Sequence, residues 1–136
     1  MQTIDITQNY TRPVGEVFAL LSDHNQLSKV FLIPVRRIKD GADSLNGVGS
    51  VRRLGPAPLG TEETVTESVD NELIAYKITR NGGPISNHSG RLEFRSTPTG
   101  SEVRWQIAFD SPIPLAGPVL RNVLATAIRS GLKRIA

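Results

Sequence analysis

Apolar residues in the last third of the chain recur with a helical period. Leu120, Val123, Leu124, Ala127, Ile128, Gly131, Leu132 and Ile135 fall at i, i+3, i+4, i+7, i+8, i+11, i+12 and i+15. That spacing puts them on one face of a helix. Arg121, Asn122, Thr126, Arg129, Ser130, Lys133 and Arg134 take the other face. A helix of about 18 residues is roughly 27 Å long. One strand cannot cover so long an apolar stripe, so the helix is predicted to lie across a curved antiparallel sheet and leave a cavity beneath it.

Upstream the period changes to two. Ile4, Ile6 and Tyr10 alternate with Thr3, Asp5, Thr7 and Asn9, which reads as a half-buried strand over 3–10. Pro13 opens a helix carrying Val14, Val17, Phe18 and Leu21, because its missing N–H is unpaired in a first turn anyway. Ser22-Asp23 breaks that helix. Asp23 with Gln26 resembles a capping box for a second short helix carrying Leu27, Val30 and Phe31, which Pro34 ends. His24, at this helix start, is expected to be solvated.

Six further strands are predicted at 35–39, 48–54, 61–69, 73–80, 86–96 and 102–110. They are separated by turn signals such as Asp40-Gly41, Asn46-Gly47, Asp70-Asn71 and Thr97-Pro98-Thr99-Gly100. The last pair alternates most cleanly: His88, Gly90, Leu92 and Phe94 on one strand, Val103, Trp105, Ile107 and Phe109 on the other. The order β–α–α–β–β–β–β–β–β–α is that of an α+β protein, an antiparallel meander with the first strand completing its edge.

Length and composition narrow the function. A chain of 136 residues is read as one domain, 1–136, large enough for a single core. It has no cysteine, which removes disulfides, thiolate metal sites, iron–sulfur clusters and cysteine nucleophiles. Two histidines are too few for a three-histidine zinc site, and no metal or cofactor is expected. The net charge is +3, but the 16 basic residues are scattered singly or in pairs, and aromatics are 5%. Neither a basic stripe nor a stacking platform is present, so nucleic acid is not an expected partner. No apolar run is long enough to span a bilayer, so integral membrane association is not expected. No secretory signal is visible at Met1-Gln-Thr-Ile-Asp5, and a cytoplasmic location is the expectation.

The element order, together with Asn46-Gly47-Val48-Gly49-Ser50-Val51-Arg52-Arg53-Leu54 and Glu63-Thr64-Val65-Thr66-Glu67, resembles the START-like (SRPBCC, polyketide cyclase/dehydrase) superfamily. Pro13-Val14-Gly15-Glu16-Val17-Phe18 is similar to that family's first-helix motif, and Gly90 with the Gly100 to Trp105 strand also matches. The resemblance covers nearly the whole chain. It implies the helix-grip (Bet v 1-like) fold: a curved seven-stranded sheet around a long C-terminal helix, with two short helices between strands 1 and 2. It leaves function open among carriers, receptors, cyclases and lipid-transfer domains. Against the plant abscisic-acid receptors of this fold, Val48 to Arg52 is similar to their third-strand motif. Glu63 falls near their pocket glutamate, and Asn87-His88 falls where they carry Asn-Tyr. Their gate and latch motifs are missing, so the hormone-receptor role does not carry over. The Rieske oxygenase branch is excluded by the absence of cysteine.

His88 shares a face with Gly90, Leu92 and Phe94, and points toward the helix-covered side. There it either contacts a ligand carbonyl or acts as acid or base, or it is a core histidine bonded to Tyr76 or to backbone. Arg52 is inward with Ser50 and Leu54, and Arg53 is outward. Glu63, Val65 and Glu67 share a face. An Arg52–Glu63 pair either anchors a carboxylate, hydroxyl or ketone, or is a structural ion pair at the cavity rim. Glu63 and Glu67 lie roughly 13 Å apart along a strand, too far for a glycosidase pair. Tyr76, beside Ile74 and Ile78, either binds with its hydroxyl or is core with a satisfied tip. Trp105 reads first as core.

The expected function is binding, as carrier or sensor, of a small and largely apolar molecule. Arg52, Glu63, Tyr76, Ile78, His88, Trp105, Leu120, Leu124 and Ile128 form the candidate ligand-binding set, with Leu120, Leu124 and Ile128 as floor. Access is expected past loops Gly55–Gly60 and Gly82–Ser86 and the Pro112–Pro118 connector. One alternative is a cyclase or dehydrase with His88 as general base and Arg52 polarising a carbonyl. Another is a protein-interaction module whose cavity is filled by Phe18, Phe94, Trp105 and Phe109. A homodimer through an exposed part of the sheet is compatible with this order.

Overall fold

A computed structural model describes residues 1–55 and 60–136. Among these residues seven strands form one sheet: β1 (Gln2–Tyr10), β2 (Val35–Lys39), β3 (Val51–Leu54), β4 (Thr61–Val69), β5 (Leu73–Arg80), β6 (Ser86–Thr97) and β7 (Gly100–Asp110). The order across the sheet is β1-β7-β6-β5-β4-β3-β2, with every neighbouring pair antiparallel. The meander runs from β2 to β7, and β1 pairs along β7 as the alternation predicts. Helices α1 (Val14–Ser22) and α2 (Leu27–Phe31), joined by a 3-10 turn at His24–Gln26, lie between β1 and β2. Helix α3 (Ala116–Arg134) follows β7.

The inward residues of the two longest strands meet in register: Gly90 with Ile107, Leu92 with Trp105, Phe94 with Val103. Together with Ile4, Ile6, Val65 and Ile74 they form the sheet side of the core. Val17, Phe18 and Leu21 of α1, Leu27 and Val30 of α2, and Ile128 and Leu132 of α3 cover them.

Three local expectations are corrected. Strand β3 starts at Val51 rather than 48, because Gly49 adopts a left-handed φ of 87°. The Ser50 N–H donates to the Gly47 carbonyl at 3.0 Å, so a turn stands where the first residues of the strand were predicted, although Gly49 and Ser50 still bond to Val65 of β4. In β4 the pairing shifts register between Val65 and Glu67. The extra residue turns Glu67 out to solvent, so it does not share the buried face of Glu63. Arg53, expected in solvent, is half-buried beside Glu62, 3.7 Å away.

The contact face of α3 is narrower than its apolar stripe. Ile128, Gly131 and Leu132 are buried, whereas Val123 is 61% exposed. At 3.6 residues per turn Val123 sits about 130° round from the middle of the buried face. Two hydrogen bonds hold the C-terminal half in place. The Tyr10 hydroxyl donates to the Leu132 carbonyl at 2.7 Å, and Arg134 Nη1 donates to the Val30 carbonyl at 2.6 Å. Gly131 lets α2 come close: a Cβ there would lie 2.8 Å from a Phe31 ring carbon.

Tyr10→Phe leaves the buried Leu132 carbonyl without its donor and should destabilise the fold by about 1–2 kcal/mol. Urea unfolding measures the loss. Amide exchange should accelerate first in the last turns of α3, and unchanged exchange there would show that the bond does not hold the helix.

Candidate functional site

The ladder between β5 and β6 stops after Tyr76 pairs with Gly90. Further along, β6 stays on β7 but takes an extra residue between Ser86 and Ser89, with Asn87 at a φ of 49°. A bulge of this kind bends a strand and re-aims its side chains. Beyond it, the Ile78 N–H has no strand partner on β6 and donates instead to His88 Nδ1 at 3.1 Å. The two strands therefore part with this N–H still paired.

A cavity of about 190 Å³ lies in the space this opens, between the inner face of the sheet and helices α2 and α3. Its walls are mainly apolar: Leu27, Phe31, Ile33, Leu54, Ile78, Ile85, Ile107, Leu124, Ala127 and Ile128. Arg52, Glu63, Tyr76, His88 and Trp105 supply the polar atoms. The other half of the core is filled, with Phe18 and Phe94 edge to face at 5.0 Å.

The polar groups are tied to one another. Arg52 and Glu63 are cross-strand partners, and Arg52 Nε donates to Glu63 Oε1 at 2.8 Å. The guanidinium carbon lies 4.6 Å from the centroid of the Tyr76 ring. The Tyr76 hydroxyl accepts from Trp105 Nε1 at 2.9 Å. That ring fits only because residue 90 is glycine, since a Cβ there would overlap the Tyr76 ring and hydroxyl. Burial pushes the Tyr76 phenol up, and the Glu63 charge pushes the same way. Burial lowers the His88 pKa against the pull of Glu63, and Arg52 adds to the lowering. His88 is therefore neutral at pH 7. With Nδ1 accepting from backbone, its proton sits on Nε2.

The whole sequence, residues 1–136, matches the family described as polyketide cyclase / dehydrase and lipid transport. The chain belongs to this polyketide cyclase/dehydrase family. Its fold is that of the START-like superfamily and of solved structures that it resembles at low identity. The protein XoxI from Bacillus cereus is 20% identical with a TM-score of 0.76, over 98% of this chain and 92% of that one. A protein of Nitrosospira multiformis is 17% identical with a TM-score of 0.74, over 99% and 97%. Ara h 8.0201 is 14% identical with a TM-score of 0.72, over 98% and 97%. Among curated proteins, none matches the sequence.

Within this polyketide cyclase/dehydrase domain, eight of the nine candidate residues border the cavity: Arg52, Glu63, Tyr76, Ile78, His88, Trp105, Leu124 and Ile128. Leu120 does not. One turn before Leu124, it packs against the core instead. Sequence reasoning missed Leu27 and Phe31, although their i, i+4 spacing on α2 marks one face, and it missed Leu54, Ile85 and Ile107. Of the three predicted access segments, the Gly82–Ser86 loop contributes Ile85 to the wall, and the Pro112–Pro118 connector contributes nothing to it. Within Gly55–Gly60, residues 56–59 lie outside the described residues.

His24 is the clearest correction. It is 1% exposed rather than solvated, and its Nε2 lies 2.8 Å from Ser50 Oγ. Asp23 accepts the Asn25 N–H and Asn46 accepts the His24 N–H, which fixes the 3-10 turn with the imidazole directed inward at the start of β3. Among the described residues His24 Nδ1 is buried without a partner. Burial, then the charges of Arg52 and Arg37, lower its pKa from 6.5 to about 3. No cluster of three His, Asp or Glu groups among the described residues could hold a metal ion.

Two outcomes are expected. Gly90→Ala should displace the Tyr76 ring and break its bond to Trp105, costing about 1–3 kcal/mol as overpacking. Thermal unfolding and near-ultraviolet circular dichroism of Trp105 check this. Unfolded His24 binds a proton below about pH 6.5, whereas the folded residue does so only near pH 3. Its contribution to stability is therefore complete above pH 6.5 and is lost as pH falls through that window, at no more than about 1.4 kcal/mol per pH unit. In urea titrations between pH 6.5 and 5, His24→Gln should show a shallower loss than the wild type. An identical slope would remove His24 from the account.

Proposed function

We propose that this protein binds a small, largely apolar ligand in the cavity between the sheet and α3, as a carrier or sensor. The observation that carries this reading is the distribution of polarity. The walls are apolar, and the few polar groups gather on β3 to β7 with their mutual bonds already made. A cavity of about 150 Å³ can hold one benzene ring. The space here, about 190 Å³, suits a body of roughly one or two rings. Arg52, Glu63, Tyr76 and His88 orient that body, and Ile78, Trp105, Leu124 and Ile128 enclose it.

The geometry at His88 favours binding over the cyclase or dehydrase alternative. A general base needs a lone pair facing the substrate. His88 commits its lone pair to the Ile78 N–H, and offers Nε2–H to the cavity. The interaction-module alternative requires a filled interior, whereas Phe18, Phe94 and Phe109 pack away from the space bordered by His88. The reading takes the protein to be cytoplasmic and without a nucleic-acid partner. Several surface arginines already face carboxylates, as Arg104 does Asp5 at 2.7 Å and Arg95 does Glu102 at 2.8 Å. No helix among the described residues is long and apolar enough to cross a membrane.

Native mass spectrometry of freshly purified protein should reveal a co-purified small molecule. For a defined probe, α-methylstyrene should shift the indole N–H resonance of Trp105, the one tryptophan in the chain, in a saturable way. Leu124→Trp, which fills the cavity from the helix side, should weaken that binding at least about tenfold. No saturable shift in the wild type, or equal binding in the variant, would overturn the cavity reading.

A further inference from the structure

The polar end of the cavity carries one cation and one anion, and they are bonded to each other: Arg52 Nε to Glu63 Oε1 at 2.8 Å. Both side chains are almost fully buried, so neither charge is balanced by bulk water. His88 adds no charge, since burial keeps it neutral. Tyr76 stays protonated for the same reason. The cavity is thus neutral overall, although it contains an arginine.

Hydrogen-bonding capacity is unequal in the opposite sense. His88 Nε2–H is a donor, because Nδ1 is occupied by the Ile78 N–H. The Tyr76 oxygen accepts from Trp105, which leaves its own O–H to give. Among the described residues Arg52 bonds to protein through Nε, which leaves its terminal nitrogens to give. Against these donors stands one spare acceptor, Glu63 Oε2. A molecule that completes this end should therefore bring an acceptor without bringing a charge.

We propose that the ligand's polar end is a neutral hydrogen-bond acceptor, a carbonyl oxygen on a one- or two-ring apolar body, and that the cavity rejects the carboxylate of the same shape. This rests on the reading that the cavity binds a ligand, and goes further by naming its headgroup. A carboxylate would find the guanidinium already neutralised and the Glu63 carboxylate beside it. It would be a second anion in a water-poor space, with its hydration lost and no free cation to replace it. A carbonyl oxygen gives up little hydration and takes the donors as they stand.

Three probes of nearly equal shape separate the terms: acetophenone, benzoate and α-methylstyrene, titrated at pH 7.5 into the intact protein and followed at the Trp105 indole N–H. Acetophenone should bind at least about tenfold tighter than benzoate, because like charges brought together are strongly disfavoured. Glu63→Gln removes the anion and leaves Arg52 uncompensated. In that variant the preference should swing towards the anion, with benzoate gaining at least about tenfold relative to acetophenone. Benzoate binding the wild type as tightly as acetophenone would overturn the proposal. That comparison decides alone if the variant does not fold. α-Methylstyrene keeps the two questions apart: if it fails to bind, the cavity reading falls. If it binds while benzoate equals acetophenone, only the neutral headgroup falls.

Discussion

Where neighbouring strands part beside a cavity, backbone groups lose the partners that the ladder would have given them. Here β5 and β6 separate beyond Tyr76 and Gly90, and the one hydrogen bond from the Ile78 N–H to His88 Nδ1 makes that separation tolerable. An unsatisfied buried N–H costs about 1–3 kcal/mol. The imidazole supplies the acceptor that the missing strand pair would have supplied, and the bulge at Asn87 puts the ring where it can do so. The same bond fixes the tautomer, so the residue that props the sheet open is also bound to face the cavity as a donor.

Around that opening the polar residues form a chain across the sheet, each supplied by a successive strand: Arg52 on β3, Glu63 on β4, Tyr76 on β5, His88 on β6 and Trp105 on β7. Antiparallel register brings such residues onto one face. Arg52 meets Glu63 directly across its strand pair, and Trp105 reaches Tyr76 with its indole N–H. Glycine at 90 is the condition for this arrangement, because any side chain there would occupy the place of the Tyr76 ring. Buried polar groups in low dielectric are costly unless satisfied, and two bonds within the row, Arg52 to Glu63 and Trp105 to Tyr76, meet part of that need. The apolar side chains of the wall, from α2 and α3 and from Leu54, Ile78 and Ile107 of the sheet, impose shape and no orientation.

What could be read from the sequence follows from which signals are periodic. The alternation in β6 and β7 places their inward residues correctly, and cross-strand geometry follows from it. Isolated interruptions of the period could not be read. The extra residue in β4 sends Glu67 outward, and Gly49 delays β3 by three positions, yet each is one residue inside a run that otherwise alternates. The stripe on α3 overstated the contact, because periodicity reports which residues are apolar and not how much sheet lies beneath them. Val123 is exposed and Leu120 reaches core rather than cavity. His24 was illegible for another reason: its partner Ser50 is 26 positions away, and only the packed 3-10 turn brings them together.

His24 also shows how the cavity is supported from outside its own walls. Ser50 and Arg52 are both buried and two residues apart, so His24, bonded to Ser50, stands close behind Arg52. A neutral His24 suits this position because Arg37 and Arg52 both oppose a further positive charge there. A lysine or arginine at 24 would press a cation against the back of the ion pair, whereas an uncharged imidazole leaves Arg52 with Glu63 as its counter-ion. The charge balance of the polar end is therefore set partly by a residue outside the cavity wall. Members of this fold family can keep the helix grip while changing what they hold, since the sheet needs only inward positions of suitable size. The chemistry of the cavity's polar end depends on which side chain each strand brings to this one row.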